Sequence, residues 1–151
     1  MTPPRIVVDS NVIISGFLFG GNPCRVLGAV VDGLARCFTS LPILDEVRSV
    51  LQRPKFGLSA EQALAFVDEF HLLCRVVDPR NRVEAIADDP KDNMVRECAD
   101  AANADIIISG DAHLLDLKQW ESIRIVSPSG FIKEIGGQHG VARYGAKPRR
   151  P

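Results

Sequence analysis

The sequence predicts an α/β domain, a three-layer fold with a mainly parallel sheet of about five strands between helices, and three observations predict it. Short β-branched runs recur along the chain, they are apolar throughout rather than alternating with polar residues, and stretches of helical periodicity separate them. Strands apolar on both faces belong to sheets covered on both sides. Alternation of strand and helix is the pattern of parallel crossover connections. With 151 residues, 46% of them hydrophobic, the chain is long enough for one domain with a core of its own.

The first run, Arg5-Ile6-Val7-Val8, ends in Asp9, and a helix is expected from near Val12. Asn22-Pro23 opens a helix to about residue 32, since a proline in the first turn lacks only an N–H that would have no partner there. A strand follows at 37–39. Pro42 opens a helix to about residue 52, and Ser59 with Glu61-Gln62 opens another to about residue 73. After a strand at 75–77, Asp89 caps and Pro90 begins a helix ending near Ala102, with Met94, Val95, Cys98, Ala99 and Ala102 as its buried stripe. Asp105-Ile106-Ile107-Ile108-Ser109-Gly110-Asp111 repeats the shape of the first strand, an aliphatic run that ends in an acid, and its Ser-Gly turn lets the backbone bend. A short helix at 112–115 and a strand at 124–126 complete the domain, which is expected to span residues 1–135. Residues 136–151 read as a basic, flexible tail, with Arg143, Lys147, Arg149 and Arg150 and no acid.

Without that tail, fourteen basic residues face nineteen acidic ones, a net charge of −5. Such a body does not bind nucleic acid through bulk positive charge, so a polyanionic partner needs bound cations or the tail. No stretch approaches the roughly 18 apolar residues of a membrane span, and Met1-Thr2-Pro3-Pro4-Arg5 has no apolar signal core, so a soluble cytoplasmic protein is expected. Cys24, Cys37, Cys74 and Cys98 form no CxxC pair and read as reduced core residues. His71, His113 and His139 share no ligand spacing, and Trp120 and Tyr144 stand too far apart to form a stacking platform.

Ligands of open parallel sheets bind beyond the carboxyl ends of the strands, where the strand order reverses. Asp9 and Asp111 belong to that edge because each follows a strand. Glu46 and Asp92 return to it early in the helices that follow the second and third strands. Rotation at about 100° per residue puts Asp45 opposite the apolar face of Ile43, Leu44, Val47, Val50 and Leu51, and Glu46 on its flank. The same rotation puts Asp92 at the margin of its stripe, with Asn93 and Asp100 pointing further away. Four carboxylates in one cleft repel one another unless protons or cations neutralise them. Oxygen ligands without His or Cys favour hard cations, Mg²⁺ or Mn²⁺. One or two such ions activate water and stabilise the charge that builds on a phosphodiester.

Each residue also has a plainer role. Asp9 and Asp111 suit helix caps, an acid at the position of Asp92 complements the helix dipole, Asp88 and Asp89 compete with it for a metal, and Glu46 alone is an ordinary solvated carboxylate. Ser10, Asn11 and Ser109 either orient the carboxylates and metal-bound waters or simply form turns. Arg53 and Lys55 are candidate contacts for a phosphate backbone.

Val7-Val8-Asp9-Ser10-Asn11-Val12, Leu44-Asp45-Glu46-Val47, Asp89-Pro90-Lys91-Asp92-Asn93 and Ser109-Gly110-Asp111 with Leu114-Leu115, in this order and spacing, resemble the signatures of the PIN domains over residues 5 to about 135. The resemblance is to the bacterial and archaeal toxin components of that family. It implies a parallel sheet with helices on both sides, an acid quartet at Asp9, Glu46, Asp92 and Asp111 binding Mg²⁺ or Mn²⁺, and endonucleolytic cleavage of RNA. Asn11 and Ser109 match positions that support the metal site. It further implies a homodimer and a small antitoxin that covers the acidic cleft. Two other classes stay in view. One is a non-catalytic PIN-like module that binds protein or RNA, since a fold can persist without its chemistry. The other is a phosphoaspartyl enzyme or receiver, which fits less well because Ser10 stands where a receiver wants a second acid and Asn11 where a dehalogenase-like enzyme wants one.

Overall fold

The chain alternates strand and helix from its first described residues. The computed structural model describes residues 2–80 and 90–139, and within these the side chains of all but residues 90–92 and 137–139. In chain order the elements are β1 (Arg5–Val8), α1 (Ser10–Leu18), α2 (Gly21–Val31), β2 (Arg36–Thr39), α3 (Leu41–Leu51), a 3-10 turn (Pro54–Phe56) and α4 (Ala60–Leu73). β3 (Cys74–Val76), α5 (Pro90–Ala102), β4 (Ile106–Ile108), α6 (Ala112–Leu117), β5 (Gln119–Trp120), β6 (Ile123–Val126) and α7 (Pro128–His139) follow.

The sheet order is β3-β2-β1-β4-β6-β5. The expected five strands are all parallel, and two-residue β5 adds an antiparallel edge on β6. From β1 the chain winds outward through β2 to β3, then returns to the other side of β1 to lay down β4. The strand order therefore reverses between β1 and β4, and the crevice of an α/β sheet opens at that reversal. Ile6, Val7 and Val8 pair with Ile106, Ile107 and Ile108, and all six are buried. The central strands are continuous apolar runs because helices cover both of their faces.

Local signals set the helix starts. Ser40 Oγ accepts the Ile43 N–H at 3.4 Å to begin α3, with Pro42 in its first turn. At α4, Ser59 and Gln62 form the expected capping box, the Ser59 N–H donating to Gln62 Oε1 at 2.8 Å and the Gln62 N–H to Ser59 Oγ at 3.1 Å. α1 starts at Ser10, two residues before the expected Val12, and α6 runs to Leu117 rather than Leu115. α7 is a helix that sequence periodicity did not announce. Two glycines, Gly130 and Gly136, weaken its propensity, and it forms because Phe131, Ile132 and Ile135 bury one face and it packs on α2. It continues to His139, into the segment from residue 136 that was expected to be tail. Among the described residues no single helix is long and apolar enough to cross a membrane. All four cysteines are free thiols, with Cys37 and Cys98 buried, and burial pushes the Cys98 thiol up to about 12.

Candidate active site

Asp9 leaves β1 in extended conformation, φ −64 and ψ 148, and occupies the N-cap position of α1. Its side chain makes no cap hydrogen bond. The carboxylate turns instead toward the neighbouring strand, where Ser109 Oγ donates to Asp9 Oδ2 at 2.7 Å. The β1–β4 ladder holds this geometry: the Asp9 N–H donates to the Ile108 carbonyl at 2.9 Å, and the Ser109 N–H to the Val126 carbonyl at 3.0 Å. Asp9 is only 6% exposed and Ser109 is fully buried.

Burial raises the pKa of Asp9 above its ordinary 3.8, and the charge of Asp111 adds to the rise. The Ser109 hydroxyl works the other way by stabilising the anion, and the nearby backbone N–H groups of Ser10 and Asn11 add to this without forming a cap hydrogen bond. The result is a carboxylate desolvated beside a second acid and only partly compensated by neutral donors.

Ser109 joins the two acids. Besides donating to Asp9, its Oγ accepts the Asp111 N–H at 3.0 Å. Asp111 Oδ1 accepts the His113 N–H at 2.9 Å, so its cap role on α6 is realised through one oxygen. Gly110 does not use the left-handed region, so the expected need for a glycine to bend the chain is not met by an unusual φ. A Cβ there would meet nothing within 4 Å, which leaves open space beside Asp111.

Glu46 is half-buried on the flank of α3 and Asp45 is exposed, as the rotation argument expected. α3 packs against α1 and α5, the helices that follow Asp9 and begin just before Asp92. Asp92 lies in the first turn of α5, but its side chain is outside the described residues, and so are Asp88 and Asp89 altogether. Among the described residues, no three His, Cys, Asp or Glu side chains come close enough to hold a metal ion. Asp9 and Asp111 are brought together through Ser109, and Glu46 does not complete a three-acid group with them. Ser10 is buried at the first position of α1, Asn11 is exposed on its outer face, and Arg53 and Lys55 are exposed beyond the end of α3. The donors present fit a hard divalent cation. They are carboxylate and hydroxyl oxygens, and the electrostatic penalty on Asp9 is of the kind that a cation relieves.

Two side chains on α5 depart from the sequence reading. Asn93, expected to point away, is half-buried, with a buried Oδ1 that has no hydrogen-bond partner among the described residues. Arg96 is only 2% exposed, and its Nε and Nη1 have no partner among the described residues. Its position between Val95 and Ala99 was a signal for burial, which its charge obscured. Thr39 Oγ1, at the carboxyl end of β2, is likewise buried without a partner among the described residues.

The sequence matches the family model of the PIN domain over residues 5–113, from β1 into α6. No curated protein matches the chain. Among solved structures, a chain from the crystal structure of VapBC2 from Rickettsia felis bound to a DNA fragment from their promoter has a similar fold, with a TM-score of 0.59 over 82% of this chain and 98% of that one. Identity between the two is 13%, and the likeness is one of fold. The family match covers most of the chain and includes both strand-end acids with Ser109 between them, and on that ground the chain belongs to the PIN-domain family.

Proposed function

We propose that this chain is a divalent-metal-dependent endoribonuclease that hydrolyses RNA phosphodiester bonds and acts as the toxin of a toxin-antitoxin pair. The observation that carries the proposal is the Asp9–Ser109–Asp111 arrangement at the reversal of strand order, a buried carboxylate tied through one hydroxyl to the backbone of a second acid. A structural acid would not need to be desolvated beside another. Membership of the PIN-domain family and a fold shared with VapBC2 support the same reading.

Asp9 and Asp111 are the core of the proposed metal centre, and Glu46 and Asp92, on the helices after β2 and β3, are proposed as its further acids, although Glu46 does not stand within metal-holding reach of the pair in this structure. A bound Mg²⁺ or Mn²⁺ supplies charge neutralisation at the phosphate and acidifies water for the attack. Ser109 keeps Asp9 Oδ2 fixed and the anion favoured, so the carboxylate is held in place before the ion arrives. Ser10 and Asn11 contribute backbone N–H groups that hold negative charge on Asp9. One oxygen of Asp111 is committed to the α6 cap, which fixes the direction of the other. In the same proposal the protein is a cytoplasmic homodimer whose acidic cleft is covered by a small antitoxin.

The test is RNA cleavage by the purified chain with Mn²⁺ or Mg²⁺, compared with Asp9→Asn, Glu46→Gln, Asp92→Asn and Asp111→Asn. Each variant is expected to lose about a hundredfold in rate, and EDTA to abolish cleavage. Metal-independent cleavage that survives Asp9→Asn overturns the proposal. Intact RNA affinity with no calorimetric Mn²⁺ binding points instead to a module that binds without cutting.

A further inference from the structure

At the far ends of α1 and α3, about 520 Å³ of open cleft is lined by Leu18, Phe19, Lys55 and Phe56. The volume suits a small planar group. Phe19 is 72% exposed, an unusual position for a large aromatic side chain on a soluble surface. Its ring centroid lies 6.4 Å from that of Phe56, and Lys55 Nζ lies 5.2 Å from the Phe56 ring. None of these four residues takes part in the Asp9–Ser109–Asp111 arrangement.

The one charged side chain lining the cleft is basic, Lys55, and exposed Arg53 stands two residues before it, whereas residues 1–135 carry a net −5. Aromatic faces with cations beside them are how proteins hold single-stranded nucleic acid, because every base can stack and every phosphate is attracted.

The cleft is also connected to the proposed site. α1 and α3 both begin after strands at the carboxyl edge of the sheet and pack side by side; α1 ends at Leu18 in the cleft, and the 3-10 turn after α3 supplies Lys55 and Phe56. On α1 the solvent-facing line runs from Asn11 through half-buried Ser15 and Leu18 to Phe19, a rise of roughly 12 Å. On α3 a matching line runs from Glu46 through exposed Ser49 to Arg53.

We infer that the cleft is a base-stacking subsite for single-stranded RNA, in which Phe19 and Phe56 receive a base and Arg53 and Lys55 hold the adjoining phosphates while the strand runs along α1 to the acids. The inference rests on the proposed ribonuclease activity for its direction, but its test does not depend on cleavage. An acidic peptide would satisfy the charge as well. The two residue lines leading to the acids favour the polymer that those acids would cut.

The experiment uses the full chain carrying Asp9→Asn, with and without Phe19→Ala or Lys55→Ala, and a short single-stranded RNA containing 2-aminopurine. Phe19 is exposed, so its removal leaves the fold intact, which circular dichroism checks. Each added substitution is expected to weaken RNA binding by about fivefold to a hundredfold, and Phe19→Ala to restore the 2-aminopurine fluorescence quenched by stacking. With Asp9 in place, Phe19→Ala raises KM for this RNA and leaves cleavage of a dinucleotide unchanged. Unchanged RNA affinity in both variants overturns the subsite, as does loss of binding to an acidic peptide alone. If the chain binds RNA through Phe19 but never cuts it, the ribonuclease proposal fails and the subsite stands.

Discussion

Replacing Asp9 by Asn is expected to stabilise the metal-free protein at neutral pH while removing most of the RNA cleavage proposed for it. In the native chain a 6% exposed carboxylate lies beside Asp111 and accepts a 2.7 Å hydrogen bond from Ser109. Removing the charge relieves a desolvation penalty of several kcal/mol. Against this, the amide exchanges a charge-assisted bond from Ser109 for a neutral one, a loss of about 1 kcal/mol, and adds N–H donors that need partners. The balance is about 1–2 kcal/mol in favour of the variant, or roughly 2–8 °C in Tm for a chain of this length. The pH dependence has a definite sign. Because the folded pKa of Asp9 is raised above 3.8, the native state binds more protons than the unfolded state between 3.8 and that raised value, so wild-type stability falls as pH rises through this window. The advantage of Asp9→Asn is therefore full at neutral pH and disappears as pH drops through the folded pKa. Thermal unfolding followed by circular dichroism in EDTA, at a series of pH values, measures it. Adding Mn²⁺ at a hundred times its dissociation constant should return about 2.7 kcal/mol to the wild type and much less to the variant. A variant less stable than wild type at pH 7 in EDTA, or an advantage that persists in acid, would refute the reasoning.

Substitutions at two further residues separate structure from chemistry. Asp111→Ala removes the α6 cap and should cost about 1 kcal/mol, whereas Asp111→Asn keeps the cap and the stability; both should lose RNA cleavage, so a cleavage-competent Asn variant would show that Asp111 serves only the helix. Arg96→Met exchanges a buried guanidinium, two of whose nitrogens have no partner among the described residues, for an apolar side chain of similar length, and should raise stability by about 1–4 kcal/mol in denaturant titration; a loss of stability would mean that the guanidinium makes a favourable interaction in solution.

The parts of the site that could be read from the sequence are those governed by local geometry. Asp9 and Asp111 were found because β-branched runs mark strands and an acid directly after such a run lies at the strand's end. The separation of exposed Asp45 from half-buried Glu46 followed from the helical repeat alone. The capping box at Ser59 and the cap at Asp111 were equally local. Asn93 and Arg96 were misplaced or missed because a polar side chain is buried by whatever packs on its helix, and periodicity says nothing about that. The helix α7, with its glycines, and the two-residue β5 exist through docking on α2 and pairing with β6, forces that no window of sequence contains.

By itself the sequence determined the class of fold, the order of its elements apart from β5 and α7, and the identity of the acids at two strand ends, since each depends on propensity and pattern within a few residues. Only the tertiary structure decided that β4 lies beside β1, so that Ser109 reaches Asp9 across a hundred residues of chain and holds the backbone of Asp111 in the same grip. Strand pairing at that distance is settled by the shared burial of Ile6, Val7 and Val8 against Ile106, Ile107 and Ile108, a cooperative choice made by the whole core and by no segment alone.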